Sequence, residues 1–91
     1  MRKFMIEREL PGVGQLDSCG LAVAARKSNA ALTDLGPGIQ WQQSYVTADR
    51  TYCVYLAESE DLIRRHAEKS GFPATRITEI SGVIDPSTAV R

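Results

Sequence analysis

The chain has 91 residues, of which 43% are hydrophobic, so it can form one small core but is too short for two domains. Its 11 basic and 11 acidic residues cancel, which leaves none of the positive excess typical of proteins that bind nucleic acids or membrane surfaces. No apolar run approaches the ~20 residues that cross a bilayer, and the run from Phe4 to Ile6 is too short for a signal peptide. We therefore expect a single cytoplasmic domain over residues 1–91, with reduced cysteines and with no nucleic-acid or membrane partner.

The first predicted element is a strand over residues 3–8, in which alternation places Phe4 and Ile6 on one face. A glycine-rich turn over residues 11–14 ends it. This turn lacks the further glycine and the lysine of a phosphate-binding loop, so we interpret it as a plain connection.

A helix is predicted next, from a cap at Asp17 or Ser18 to Leu35, where Gly36 and Pro37 end it. Mostly small residues recur at steps of three and four along one side of this helix, and such a side can lie close to a sheet. The members of this stripe are Leu21, Ala24, Ala25, Ser28, Leu32 and Leu35.

Residues 39–47 and 50–57 are rich in Trp, Tyr, Val and Thr, and they predict an antiparallel hairpin that turns at Ala48 and Asp49. The predicted register pairs Thr47 with Arg50, Tyr45 with Tyr52, Gln43 with Val54, and Trp41 with Leu56, all on one face. The other face then carries a mixture of polar and aromatic residues, namely Gln42, Ser44, Val46, Thr51, Cys53 and Tyr55. Because this mixture is too polar for a core and too apolar for solvent, we expect it to meet a partner or to line a pocket.

A second helix is predicted between the cap Ser59 and Gly71, with the lone histidine, His66, on its apolar side. A last strand is predicted over residues 76–84, and a tail begins at about residue 85. The order βαββαβ predicts an α+β, ferredoxin-like sandwich with a four-stranded antiparallel sheet and both helices on one face.

The sheet face opposite the helices has no cover in this fold. We expect a homodimer that buries it, and we assign the contact, or a cavity beside it, to the surface of Gln42, Ser44, Cys53 and Tyr55.

The candidate chemistry depends mainly on His66, whose imidazole can bind a metal, move a proton or satisfy a hydrogen bond in the core. A nucleophilic pair of Cys53 with His66 has no glycine-rich oxyanion loop or orienting Asn/Asp motif near it, so we set it aside. The hairpin tyrosines fit strand positions but could also orient a small ligand. Trp41 is interpreted as a core residue rather than a stacking platform.

Five short segments carry a resemblance to a known family: residues 7–12 (ERELPG), residues 41–47 (WQQSYVT), residues 52–55 (YCVY), His66-Ala67 followed by Gly71-Phe72-Pro73, and residues 84–86 (IDP). In this order and spacing they resemble a family of small bacterial nickel-binding or nickel-responsive proteins, a domain of unknown function. The resemblance implies a ferredoxin-like sandwich, dimerisation and, in at least one characterised relative, nickel binding. It implies no demonstrated reaction.

The resemblance also names a candidate cofactor, nickel(II), and a candidate ligand, His66, which matches the family's helix histidine. Family members often have a second histidine where this chain has Gln43, and a carboxamide oxygen is a much weaker nickel ligand than an imidazole nitrogen. The metal site is therefore expected to be weakened or lost. Gln43 and His66 could still converge if the face of Trp41 and Gln43 is the one under the helices. Glu7, Glu79, Asp49 or a residue of a partner chain remain open as further ligands.

Three hypotheses about function follow. The leading one is a cytoplasmic, dimeric and non-enzymatic relative of the nickel-binding family. A second is a small-molecule-binding or cofactor-free enzyme module, in which His66 acts as general base. A third is a structural or protein-interaction domain. The candidate residues that would line a site are Trp41, Gln43, Tyr45, Tyr52, Cys53 and Tyr55.

Overall fold

A computed structural model describes residues 1–90 of the chain. The elements in chain order are β1 (Arg2–Glu9), α1 (Ser18–Leu35), β2 (Ile39–Val46), β3 (Arg50–Ala57), α2 (Glu60–Ser70) and β4 (Arg76–Ile80), with short 3₁₀ turns at Val13–Gln15 and Pro86–Val90. The four strands form one antiparallel sheet in the order β2-β3-β1-β4. The predicted ferredoxin-like α+β fold is confirmed.

Local signals set the ends of both helices. The Asp17 carboxylate accepts a hydrogen bond from the Gly20 backbone nitrogen at 2.8 Å, and the Ser59 hydroxyl accepts one from Leu62. Gly71 ends α2 with a φ of 79°, a left-handed conformation that glycine adopts without steric cost. These side chains act within a few residues of their own position, which is why the helix ends were predictable from sequence.

The core lies between the sheet and the two helices. Phe4 and Ile6 on β1 are fully buried, as their alternation predicts, and Ile63 of α2 covers them. The buried hydrophobic cluster consists of Phe4, Ile6, Ile39, Cys53, Tyr55, Ala57 and Ile63. The same alternation brings Arg8 to this face, where only 2% of it is exposed.

The predicted register of β2 and β3 is correct near the turn and wrong at Trp41. Tyr45 pairs with Tyr52 and Gln43 with Val54, but Trp41 pairs with Tyr55 rather than with Leu56, because the register shifts between Trp41 and Gln43. A bulge inserts one extra residue and so reverses the alternation of side chains beyond it. Trp41 therefore faces the helices, while Gln43 faces the opposite side of the sheet.

The prediction that Ser44, Cys53 and Tyr55 lie on the uncovered face of the sheet is wrong, whereas its alternative of a cavity agrees with the structure, in which all three line a cleft between α1 and the sheet. Cys53 and Tyr55 lie under the helices, with 5% and 2% of their surface exposed. This face of the sheet can be buried because its polar atoms form hydrogen bonds with one another or with α1. The Tyr55 hydroxyl lies 3.1 Å from Ser28 Oγ, and Trp41 Nε1 donates to Ser44 Oγ at 2.9 Å. The uncovered face instead carries Met5, Gln43, Tyr45, Tyr52 and Val54 on the three adjacent strands β1, β2 and β3.

The last strand is shorter than predicted, ending at Ile80 rather than at residue 84. Ile80 pairs with Lys3, and β1 begins at Arg2, so residues 82–84 extend beyond the end of the strand with which β4 pairs. Val83 and Ile84 lie largely exposed beside the uncovered sheet face. The tail therefore begins a few residues before residue 85, where the sequence predicted its start.

Candidate functional site

A cleft of about 260 Å³ lies between α1 and the sheet, and we call it the α1 cleft. Most of its lining is apolar. The lining residues are Arg8, Leu10, Val13, Leu21, Ala24, Ala25, Ser28, Trp41, Ser44, Val46, Thr51, Cys53, Tyr55 and Phe72. The small side chains of the predicted α1 stripe leave this space, because alanines at positions 24 and 25 do not fill the distance to the sheet.

The two ends of the α1 cleft differ. Leu21 and Val46 are 38% and 44% exposed and mark the end that opens to solvent. Arg8, Ser28 and Tyr55 are each at most 4% exposed and mark the closed end. The cleft therefore leads from an apolar mouth to a small group of buried polar side chains.

Among residues 1–90, Arg8 is the only charged side chain that lines the cleft. Its Nη1 donates to the carbonyl oxygens of Pro73 at 2.8 Å and Phe72 at 3.4 Å, while its Nη2 is buried and has no partner within residues 1–90. The ion pairs of the described chain lie on partly or fully exposed side chains, and none of them includes Arg8. A buried guanidinium thus has carbonyl partners but no carboxylate.

His66 lies behind the closed end of the cleft, with 1% of its surface exposed. Its Nε2 is 3.1 Å from Ser28 Oγ and 3.4 Å from the Ser28 carbonyl oxygen, and Ser28 Oγ is in turn 3.1 Å from the Tyr55 hydroxyl. The imidazole also packs against the Tyr55 ring, with the two planes inclined by 56° and the centroids 5.0 Å apart. His66 is not a lining residue, but Ser28 and Tyr55 connect it to the cleft.

The surroundings determine which imidazole nitrogen carries the proton. A carbonyl oxygen can only accept, so the contact between Nε2 and the Ser28 carbonyl requires a hydrogen on Nε2. The other nitrogen, Nδ1, is buried with no partner in the described part of the chain, and a hydrogen there would have no acceptor. A neutral imidazole with its hydrogen on Nε2 is therefore the form that fits.

Burial shifts the pKa values of the His66 imidazole and the Tyr55 phenol. Burial, together with the positive charge of Arg8, lowers the pKa of His66 from 6.5 to about 4, against a smaller opposing effect of the Ser28 carbonyl. Burial also raises the pKa of Tyr55 above its ordinary value, although the hydrogen bond with Ser28 and the Arg8 charge act in the opposite direction. At neutral pH the histidine and the tyrosine are both uncharged, and Arg8 carries the charge of the site.

The residues predicted to line a site divide between the two faces of the sheet. Trp41, Cys53 and Tyr55 line the α1 cleft. Gln43 and Tyr45 lie on the uncovered face, where the Gln43 side-chain amide donates to the Tyr45 hydroxyl, and Tyr52 pairs with Tyr45 there. Gln43 and His66 therefore do not converge.

The further ligands considered from sequence do not approach His66. The carboxylate of Glu7 lies near Arg50 and Arg76, that of Glu79 pairs with Arg2 at 2.8 Å, and that of Asp49 accepts from the Gly12 nitrogen. Nowhere in residues 1–90 do three or more His, Cys, Asp or Glu side chains form a group that could hold a metal ion. Residues 1–90 of one chain therefore do not offer nickel the donor set that it prefers, and the Arg8 charge opposes a cation at His66.

Sequence analysis missed Arg8 and Ser28 as site residues. The signal for Arg8 was available, because it continues the alternation of Phe4 and Ile6 and so must share their buried face. Ser28 belongs to the predicted α1 stripe, but its contacts with Tyr55 and His66 join positions 27 and 38 residues apart, which no local pattern encodes.

Among the described residues, no helix is both long enough and apolar enough to cross a membrane.

A family profile and a solved structure are similar to this chain. The profile, described as nickel responsive protein SCO4226-like, matches residues 4–80. The crystal structure of SCO4226 from Streptomyces coelicolor A3(2) aligns over 90% of this chain and 99% of that chain, with a TM-score of 0.75 and 21% sequence identity. No curated protein sequence gives a significant match. At this identity the solved structure supports the fold, and the profile identifies the family.

Proposed function

Because this chain belongs to the SCO4226-like family of nickel-responsive proteins, we propose that it is a small, non-enzymatic binding protein of that family, and that its ligand is a small molecule held in the α1 cleft. The observation that supports this most strongly is the cleft itself, which has an apolar lining and a closed end of buried polar groups. Ligand sites are usually apolar concavities with a few polar groups that fix orientation. His66 lies behind the lining, which favours binding over catalysis by this residue.

The cleft can be tested with an uncharged probe, hexanamide, followed by shifts of backbone amide signals in NMR. We expect the shifts to concentrate on lining residues such as Ser28, Cys53 and Tyr55. Ala25→Phe should fill the cleft and abolish binding, because the new ring occupies the space that the alanine leaves. Ala30→Phe is the matched control, since Ala30 is exposed on the same helix, and it should bind as the unchanged protein does. Equal binding by both variants would contradict a ligand in the cleft.

We also propose that the metal site is weakened or lost in this chain, with His66 as the one imidazole that could still contribute. The burial of the ring, the bond from Nε2 to Ser28 and the charge of Arg8 support this proposal. Calorimetry with nickel(II) at pH 7.5, on protein purified without a histidine tag, should give no submillimolar binding. A submillimolar signal that disappears in His66→Ala, while circular dichroism is unchanged, would contradict the loss and assign the ligand.

The protein is further proposed to be a cytoplasmic homodimer, with the uncovered sheet face as the contact. Tyr45 is 54% exposed on this face, and the largely exposed Val83 and Ile84 lie beside it, so a second copy would remove apolar surface from water. Light scattering after size-exclusion chromatography should give twice the mass of one chain at micromolar concentration. Val54→Asp, on the same face, should shift the particle toward one chain, and a monomer in the unchanged protein would reject the dimer.

A further inference from the structure

The geometry points to a small monocarboxylate with an apolar body as the ligand of the α1 cleft, with its carboxylate bound by Arg8 Nη2 and the Tyr55 hydroxyl. This inference rests on the proposed binding function and specifies its ligand. It requires an unpaired cation at the closed end of the cleft and a second hydrogen-bond donor beside that cation. It also requires that the rest of the cleft be apolar and of limited volume.

The unpaired cation is Arg8. A buried charge is costly unless it is paired and hydrogen-bonded, and buried arginines usually have a carboxylate partner. Here Nη1 is satisfied by two backbone carbonyls, whereas Nη2 is buried and without a partner in the part of the chain that the structure describes. Arg8 lines the cleft, so an anion that reaches the closed end and displaces the side chains that cover Nη2 can supply the missing acceptor.

The second donor follows from the direction of the hydrogen bonds behind the cleft. With the imidazole hydrogen on Nε2, His66 donates toward Ser28, so the Ser28 hydroxyl is free to donate its own hydrogen to the Tyr55 oxygen. The Tyr55 hydroxyl hydrogen then has no acceptor in this chain of bonds. Tyr55 and Arg8 both line the cleft, so a ligand at the closed end meets these donors and no anionic group of the described lining.

The remaining lining determines the body of the ligand. Beyond the closed end, the walls are largely aliphatic and aromatic, which suits hydrocarbon rather than a polar sugar or an inorganic ion. At ~30 Å³ for each water-sized group, the volume accommodates roughly nine non-hydrogen atoms. Lys27 lies with its ammonium 5.7 Å from the ring centroid of the lining residue Phe72 and adds positive charge near the site, which disfavours a cationic ligand.

The test compares hexanoate with hexanamide, which has the same length but no charge, by calorimetry and NMR titration of the unchanged protein at pH 7.5. We expect hexanoate to bind roughly 30-fold more tightly or better, because a buried charge pair is lost in the amide. Hexylamine should not bind. Inorganic phosphate should not compete, because it has no apolar body.

Two substitutions measure the contributions of the Arg8 and Tyr55 donors to hexanoate binding separately. Arg8→Met keeps the length of the side chain and should reduce hexanoate affinity to that of hexanamide. Tyr55→Phe removes only the hydroxyl and should weaken hexanoate by roughly tenfold, with hexanamide less affected. Arg64→Met is the matched control, because Arg64 pairs with Glu60 on the exposed surface of α2, and it should change neither affinity. If Arg8→Met does not fold, the comparison of acid with amide and the Tyr55→Phe variant still decide the question.

The outcomes distinguish the ligand class from the proposed function. Equal affinities for hexanoate and hexanamide at the cleft would overturn the carboxylate and leave the binding function intact. Binding of neither compound would contradict both. If inorganic phosphate competed for the cleft as well as hexanoate does, the inference would also be overturned. That result would indicate a site that binds anions without selecting for an apolar body.

Discussion

Acidification from pH 7.5 to pH 5 is expected to lower the free energy of unfolding by about 2 kcal/mol through His66. The folded protein holds the His66 pKa at about 4, whereas the unfolded chain has the ordinary value of 6.5. Between these values the unfolded chain binds more protons, so stability is fully present above pH 6.5 and is lost as the pH falls toward 4. The loss arises because a second hydrogen on the imidazole would lie on Nδ1, which has no acceptor in the described structure.

Urea unfolding at both pH values measures this effect, and His66→Gln is the comparison. The chain contains one histidine, so no other side chain has an ordinary pKa between these two pH values. Glutamine can still bond to Ser28 but does not titrate. The variant should therefore lose the histidine component of the pH dependence, whatever its absolute stability. The same pH dependence in both proteins would show that His66 does not carry it.

Phe4→Ala is expected to lower the free energy of unfolding by about 3–5 kcal/mol, the largest effect of any single truncation proposed here. Phe4 is fully buried, and it belongs to the cluster in which Ile63 of α2 meets the sheet. Its removal leaves a cavity that neighbouring strands and helices cannot fill without moving. Small domains have about 5–15 kcal/mol in total, so a large part of the stability depends on this ring.

Met5→Ala provides the matched control on the same strand. Met5 is the next residue, points to the uncovered sheet face and is only partly buried, so its truncation should cost clearly less than that of Phe4. Urea unfolding at pH 7.5 measures both variants. If the two costs were equal, the assignment of the core to the helix side of the sheet would be wrong.

The elements that sequence analysis predicted well depend on local signals. Asp17, Ser59 and Gly71 act on backbone groups within three or four residues, and the alternation of Phe4 and Ile6 needs nothing beyond β1 itself. The order of six such elements then restricts the fold to very few topologies. This is why the ferredoxin-like sandwich was predictable.

The candidate site was harder to predict because it depends on contacts between distant segments. A strand face with Thr51, Cys53 and Tyr55 resembles a solvent or partner surface when its polar atoms are counted alone. It is a core face here because Ser28, on a different element, satisfies Tyr55. The bulge at residues 41–43 also depends on packing between distant segments. It allows Trp41 to stack on Tyr55, with the ring centroids 6.4 Å apart, and no sequence motif predicts it.

The register near the hairpin turn, in which Gln43 pairs with Val54, limits any attempt to rebuild a metal centre. Side chains on opposite sides of a strand point away from each other, and residue 43 faces the side of the sheet opposite to α2. Installing a second imidazole through Gln43→His would therefore not create a chelate with His66 inside one molecule. If two copies meet through the uncovered sheet face, as proposed, the new imidazoles of both can share a nickel ion, and metal uptake and self-association would then rise together.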